Sequence, residues 1–102
     1  MFSGYDGTNS LDSVECYDAS TNTWTEVAPM NTKRLYPGIA VADGKMYVVG
    51  GYDFSAYSYF SSMECYDPVT NTWTDLAPML IARINLSVAV VEGKLYAVGG
   101  KV

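Results

Sequence analysis

The 102-residue sequence predicts an all-β fold, in which four-stranded antiparallel meanders stack around an axis as β-propeller blades, two blades' worth per chain. Three observations carry that prediction. First, "VECYDASTNTWTEVAPM" from Val14 and "MECYDPVTNTWTDLAPM" from Met63 are nearly the same stretch, and the offset between them holds at 49. Residues 14–51 laid on 63–100 without gaps agree at 21 of 38 positions, so the chain contains an internal repeat. Second, the apolar runs are short, rich in strand formers and without a helical period. Third, turn chemistry separates them at regular intervals.

Each element follows from its residues. "SVECYD" (13–18) and "TWTEVA" (23–28) are strands joined by "DASTN", a turn in which Asp and Asn bond nearby backbone and Asn tolerates the left-handed region. "GIAVA" (38–42) and "KMYVVG" (45–50) are joined by Asp43-Gly44, a dipeptide that accepts the positive φ angles of a two-residue hairpin. Glu92-Gly93 repeats that joint, and "DPVTN" repeats the other. The small and β-branched "GIAVA" suits a crowded inner strand. "TWTEVA", with Trp, Thr and a carboxylate, suits an outer edge protected by charge. One such sheet has two partly apolar faces, and radial stacking buries both. The order of strands divides the chain into strands three and four of a split blade (1–30), a complete blade (31–80), and strands one and two of another split blade (81–102). Trp24, Trp73, Tyr17, Tyr66, Tyr47 and Tyr96 recur at repeat spacing and are expected in the blade-to-blade core.

Composition narrows the function. Net charge is −5 and the six basic residues never form a run, which argues against a nucleic-acid footprint. "VAVV" (88–91) is among the longest apolar runs and is far too short to span a bilayer, so no membrane role is expected. The opening "MFSGYDGTNS" has neither a basic head nor an apolar core, so it does not read as a signal peptide. A cytoplasmic setting is expected, with Cys16 and Cys65 buried and reduced, because repeat mates stack in neighbouring units rather than facing each other.

"GGYD", a spacer, "ECYDP-TN-W---APM" and then "R---G-AV--GK-Y-VGG" resemble the kelch repeat across essentially the whole chain. The "SVECYD" and "APM" wording is most similar to the kelch domains of BTB-kelch proteins. That resemblance implies six-bladed propellers that hold substrates for cullin-type ubiquitin ligases, and hence a non-catalytic protein-interaction module. The alternative is a designed or excised building block that self-assembles into a propeller with no ligand of its own. Some kelch-containing propellers are copper oxidases, but their metal needs His and Tyr ligands and this chain has no His. Neither catalysis, a metal nor another cofactor is expected.

In a meander, alternate connections share one end of the sheet. The tight turns lie at one end, and the long connections 30–37 and 51–61 at the other, where a protein or peptide ligand is expected. The resemblance places Arg34, Arg83, Tyr5 and Tyr52 at positions that help form the family's substrate pocket. Alternatively, each guanidinium bonds loop carbonyls between blades. "YDFSAYSYF" (52–60) is the least repeat-like stretch. Phe54, Tyr57, Tyr59 and Phe60 either anchor a partner or cover the adjacent blade. Finally, the half-blades at the two ends are complementary. Six blades need three chains, so a cyclic homotrimer is expected.

Overall fold

The computed structural model describes residues 14–53 and 55–102. Among the described residues ten strands follow one another: β1 (Val14–Asp18), β2 (Thr23–Val27), β3 (Gly38–Ala42), β4 (Lys45–Val49), β5 (Tyr52–Asp53), β6 (Ser58–Tyr59), β7 (Met63–Asp67), β8 (Thr72–Leu76), β9 (Ser87–Val91) and β10 (Lys94–Val98). All pairings are antiparallel. β3-β4-β7-β8 form a complete four-stranded meander, flanked by the two-stranded sheets β1-β2 and β9-β10. These are propeller blades.

The turns obey the local chemistry. Asp43 and Gly44 sit at φ 51° and 74°, and Glu92 and Gly93 at 50° and 76°, the paired left-handed geometry that a tight hairpin requires. Asn22 and Asn71, both at φ 54°, close the other turns. Tyr17 and Tyr66 each donate a hydroxyl hydrogen bond to that Asn's Oδ1, at 2.6 and 2.7 Å.

β3 is an inner strand, and its small residues have a cause. β3 and β9 pack together, and a Cβ on Gly38 would lie 2.7 Å from Val88 Cγ2 and 2.8 Å from Leu86 Cγ. Only a residue without a side chain lets the two strands come this close.

Between β1-β2 and the complete blade lies the core cluster of Val14, Met30 and Val48, with Val27, Met46 and Trp73 packed against it. Trp73 also donates Nε1–H to the Ala28 carbonyl at 2.8 Å, tying the outer strand of one blade to the end of the blade before it. The repeat aromatics do not all lie in the blade-to-blade core that their spacing predicts. Tyr66 is buried, but Trp24, Tyr17 and Tyr96 are exposed at 59%, 45% and 49%. These three lie on the two-stranded sheets β1-β2 and β9-β10, which among the described residues have a packed sheet on one side only. Cys65 is buried whereas Cys16, on β1, is only half-buried, for the same reason.

The long connection 51–61 also differs from its sequence reading. It folds back as the β5-β6 ribbon, with Tyr52 opposite Tyr59 and Asp53 opposite Ser58. The Asp53 carboxylate accepts from Ser55 N, Ser55 Oγ and Ala56 N at 3.1, 2.8 and 3.2 Å, which fixes the turn.

Candidate functional site

The long-connection end of the sheets is assembled by backbone bonds between successive connections. Leu35 and Tyr52 form a reciprocal bridge, N–H to carbonyl at 3.2 and 2.7 Å. Gly51 N donates to Arg83 O at 2.8 Å, Phe60 N to Gly51 O at 2.7 Å, and Asn85 N to Tyr36 O at 3.0 Å. Segments 34–36, 51–53, 55–60 and 83–85 are therefore bonded into one continuous patch.

Arg34 lies beneath that surface and is 1% exposed. Its Nε donates to Glu64 Oε2 at 3.2 Å. One terminal nitrogen donates to the carbonyls of Gly50 and Ser62, each at 2.9 Å, and the other to Ser62 Oγ at 2.9 Å. The guanidinium also lies 5.2 Å from the Phe60 ring centroid. Glu64 is 0% exposed and accepts the Asn31 N–H at 2.6 Å through its other oxygen. Burial lowers the Arg34 pKa, and the Glu64 charge opposes that shift. The side chain stays cationic, as a guanidinium does throughout the accessible range. Arg34 thus bonds loop carbonyls, but both lie within the complete blade rather than between blades.

Arg83 is different. It reproduces one bond of its mate, NH1 to the Gly99 carbonyl at 2.9 Å, and is half-exposed. No carboxylate faces it among the described residues.

The aromatics divide similarly. Phe60 is half-buried against Arg34, in the covering role. Tyr52 and Tyr59 stack edge to face with centroids 5.8 Å apart. Tyr57 is 78% exposed at φ 53°. Tyr5 and Phe54 lie outside the described residues. Tyr36, which sequence reasoning passed over, is 54% exposed at φ 58° and precedes Pro37. A bulky side chain in the left-handed region is an outlier, and such outliers cluster at functional surfaces. Its repeat mate Asn85, at φ 52°, is a residue that tolerates this conformation. Seeing Tyr where the repeat calls for Asn was the available signal.

The Kelch motif model matches residues 4–31 and 33–80. The chain belongs to the Kelch motif family. Human Kelch-like protein 28 is 46% identical over 46 residues, covering 45% of this chain and 8% of that protein. Zebrafish (Danio rerio) Kelch-like ECH-associated protein 1A is 51% identical over 39 residues, 38% of this chain and 6% of that one. The chain thus spans less than a tenth of the length of these kelch relatives. Among solved structures, that of YjhT superimposes with a TM-score of 0.72 at 22% identity, covering 92% of this chain and 35% of the other, a likeness of fold.

Proposed function

We propose that this kelch chain is a non-catalytic protein-interaction module whose binding surface is the long-connection end, with Tyr36, Tyr57 and Arg83 as its contacts and Tyr52 and Tyr59 as their support. The observation that carries this reading is the pair Tyr36 and Tyr57. Both are large aromatics held at positive φ and exposed on connections that are bonded into one surface. Exposed Tyr offers contact area at low entropic cost and is enriched among the residues that dominate interface energies. Because Glu64 neutralises Arg34, the surface suits an apolar or aromatic segment better than a strongly acidic one. The resemblance to BTB-kelch domains leads us to propose further that the whole protein holds substrates for a cullin-type ubiquitin ligase. The free thiols Cys16 and Cys65 suit a reducing, cytoplasmic setting.

The test is peptide selection from a random displayed library on the folded chain. Tyr36→Ala and Tyr57→Ala should each weaken selected peptides by about tenfold, in the range of a moderate interface anchor. Val69→Ala, in the tight turn at the opposite end and 92% exposed, should change nothing. Peptides that lose binding only on the Val69 change would refute the assignment, and a chain that selects no peptide would favour the self-assembling block.

A further inference from the structure

The backbone of the long-connection patch is already engaged with itself. Leu35 and Tyr52 exchange both N–H and carbonyl with each other. Gly51, Phe60 and Arg83 close a cycle, Gly51 N to Arg83 O, Arg83 N to Phe60 O and Phe60 N to Gly51 O, at 2.8, 3.2 and 2.7 Å. The Tyr36 carbonyl accepts from Asn85 N. A ligand that binds by strand addition needs an unpaired edge, and these residues do not offer one. The aliphatic side chains Leu35 and Ile84 are each only 8% exposed, so the apolar face of a helix would find nothing there to pack on. Charge is engaged as well. Arg34 is buried against Glu64, and the one carboxylate of these segments, Asp53, accepts from Ser55 and Ala56 in its own turn. The large side chains that the patch presents outward are tyrosines, Tyr36 and Tyr57, beside the half-buried edge-to-face pair Tyr52 and Tyr59.

We infer that the occupant of this patch is a proline-rich segment in the polyproline II conformation, an inference that rests on the peptide-binding reading above and narrows it to one chemical class. Such a segment has no internal hydrogen bonds and needs no backbone ladder from its host. It brings proline rings, which dock on aromatic side chains, and carbonyls, which accept from tyrosine hydroxyls. Proline has no N–H, so it asks for no acceptor from carbonyls that are already bonded. Among the described residues the Tyr36 hydroxyl has no partner, which leaves its donor for a carbonyl of the segment. The ring is also set before the ligand arrives. Pro37 fixes the backbone on one side of Tyr36, and the bond from Asn85 holds its carbonyl at the strained φ of 58°. A rigid site and a preformed ligand lose little freedom on meeting. A cationic segment, which tyrosine faces also attract, would meet the half-exposed Arg83.

The test uses two displayed peptide libraries selected on the protein, one with Pro fixed at every third residue, once per polyproline turn, and one with Pro excluded. Binders should come from the first alone. Tyr36→Asn installs the residue that the repeat mate Asn85 carries at nearly the same φ, so the backbone is kept. That variant should weaken the selected peptides by about tenfold, as the loss of a moderate interface anchor does. Tyr36→Phe keeps the ring and removes the donor, and should weaken them by about threefold, the worth of one hydrogen bond. Binders from the Pro-free library that depend on Tyr36 overturn this inference and leave the surface assignment standing, and so do binders enriched in Lys and Arg. Proline-rich binders indifferent to both Tyr36→Asn and Tyr57→Ala overturn the inference and the surface assignment together. A protein that selects from neither library overturns the inference as well.

Discussion

Arg34 and Glu64 form an ion pair with both side chains almost wholly out of water, Nε to Oε2 at 3.2 Å. Desolvating two charges is costly, and such a pair holds only if its remaining donors and acceptors are met. Gly50 O, Ser62 O, Ser62 Oγ and Asn31 N supply those partners, so one side chain binds both margins of the long connection to the strand that follows it. Removing one member leaves the other charge buried and alone. Arg34→Ala or Glu64→Ala should cost about 3–5 kcal/mol, read from urea denaturation. Arg83→Ala should cost far less, because its guanidinium is half-exposed and faces no carboxylate among the described residues.

Gly44 and Gly50 have nearly the same φ, 74° and 71°, in different surroundings. A Cβ at Gly44 meets nothing within 4 Å, so Gly44→Ala should cost only the left-handed strain, about 1–2 kcal/mol. A Cβ at Gly50 would stand 2.6 Å from the Arg83 carbonyl oxygen, which is backbone and cannot rotate away. Gly50→Ala should therefore cost clearly more. Equal midpoints for the two variants would contradict the packing of the 83–85 segment on the diglycine.

Acid should loosen the ribbon turn. The Ser55 hydroxyl bond, with the Ala56 and Ser55 amides, holds the Asp53 carboxyl below its ordinary range. A depressed carboxyl contributes stability above its unfolded pKa, near 4, and loses it as the pH falls through the folded value. Hydrogen exchange at Ser55 and Ala56 should accelerate, relative to intrinsic rates, only below about pH 4, and Asp53→Asn should remove that dependence. Asp18, held down by Ser20 in the same way, should behave likewise.

Both cysteines should titrate as free thiols in denaturant without reductant. They occupy equivalent positions in the β1 and β7 strands of separate blades, and a bridge needs Cα atoms within about 7 Å. Finding no free thiol would overturn the parallel stacking of the repeats.

What the sequence disclosed was whatever depends on neighbours along the chain. Asp43-Gly44 and Glu92-Gly93 specify their own turns, and β3, β4, β7 and β8 end within a residue or so of their predicted limits. The β5-β6 ribbon escaped notice because two-residue strands show no alternation and their register is set by the Asp53 carboxylate. The burial of Arg34 was invisible because Glu64 lies 30 positions away, although both residues recur faithfully in the repeat. The strained Tyr36 could be suspected only from its mate Asn85.

The 49-residue period is usually counted in blades, but Arg34 stands on the connection leading into one blade and Glu64 on the third strand of that same blade, a contact that bridges the β4-to-β7 connection. What one period encodes is a hinge pin together with its socket, divided between consecutive copies of the text. A tandem duplication of that length, cut at any point, adds a pin and a socket in equal number, so arrays can lengthen or shorten by whole periods without leaving a buried charge unmatched inside. Such chains can therefore vary at exposed positions such as Tyr36 and Tyr57, while Arg34 and Glu64 must be kept or lost together.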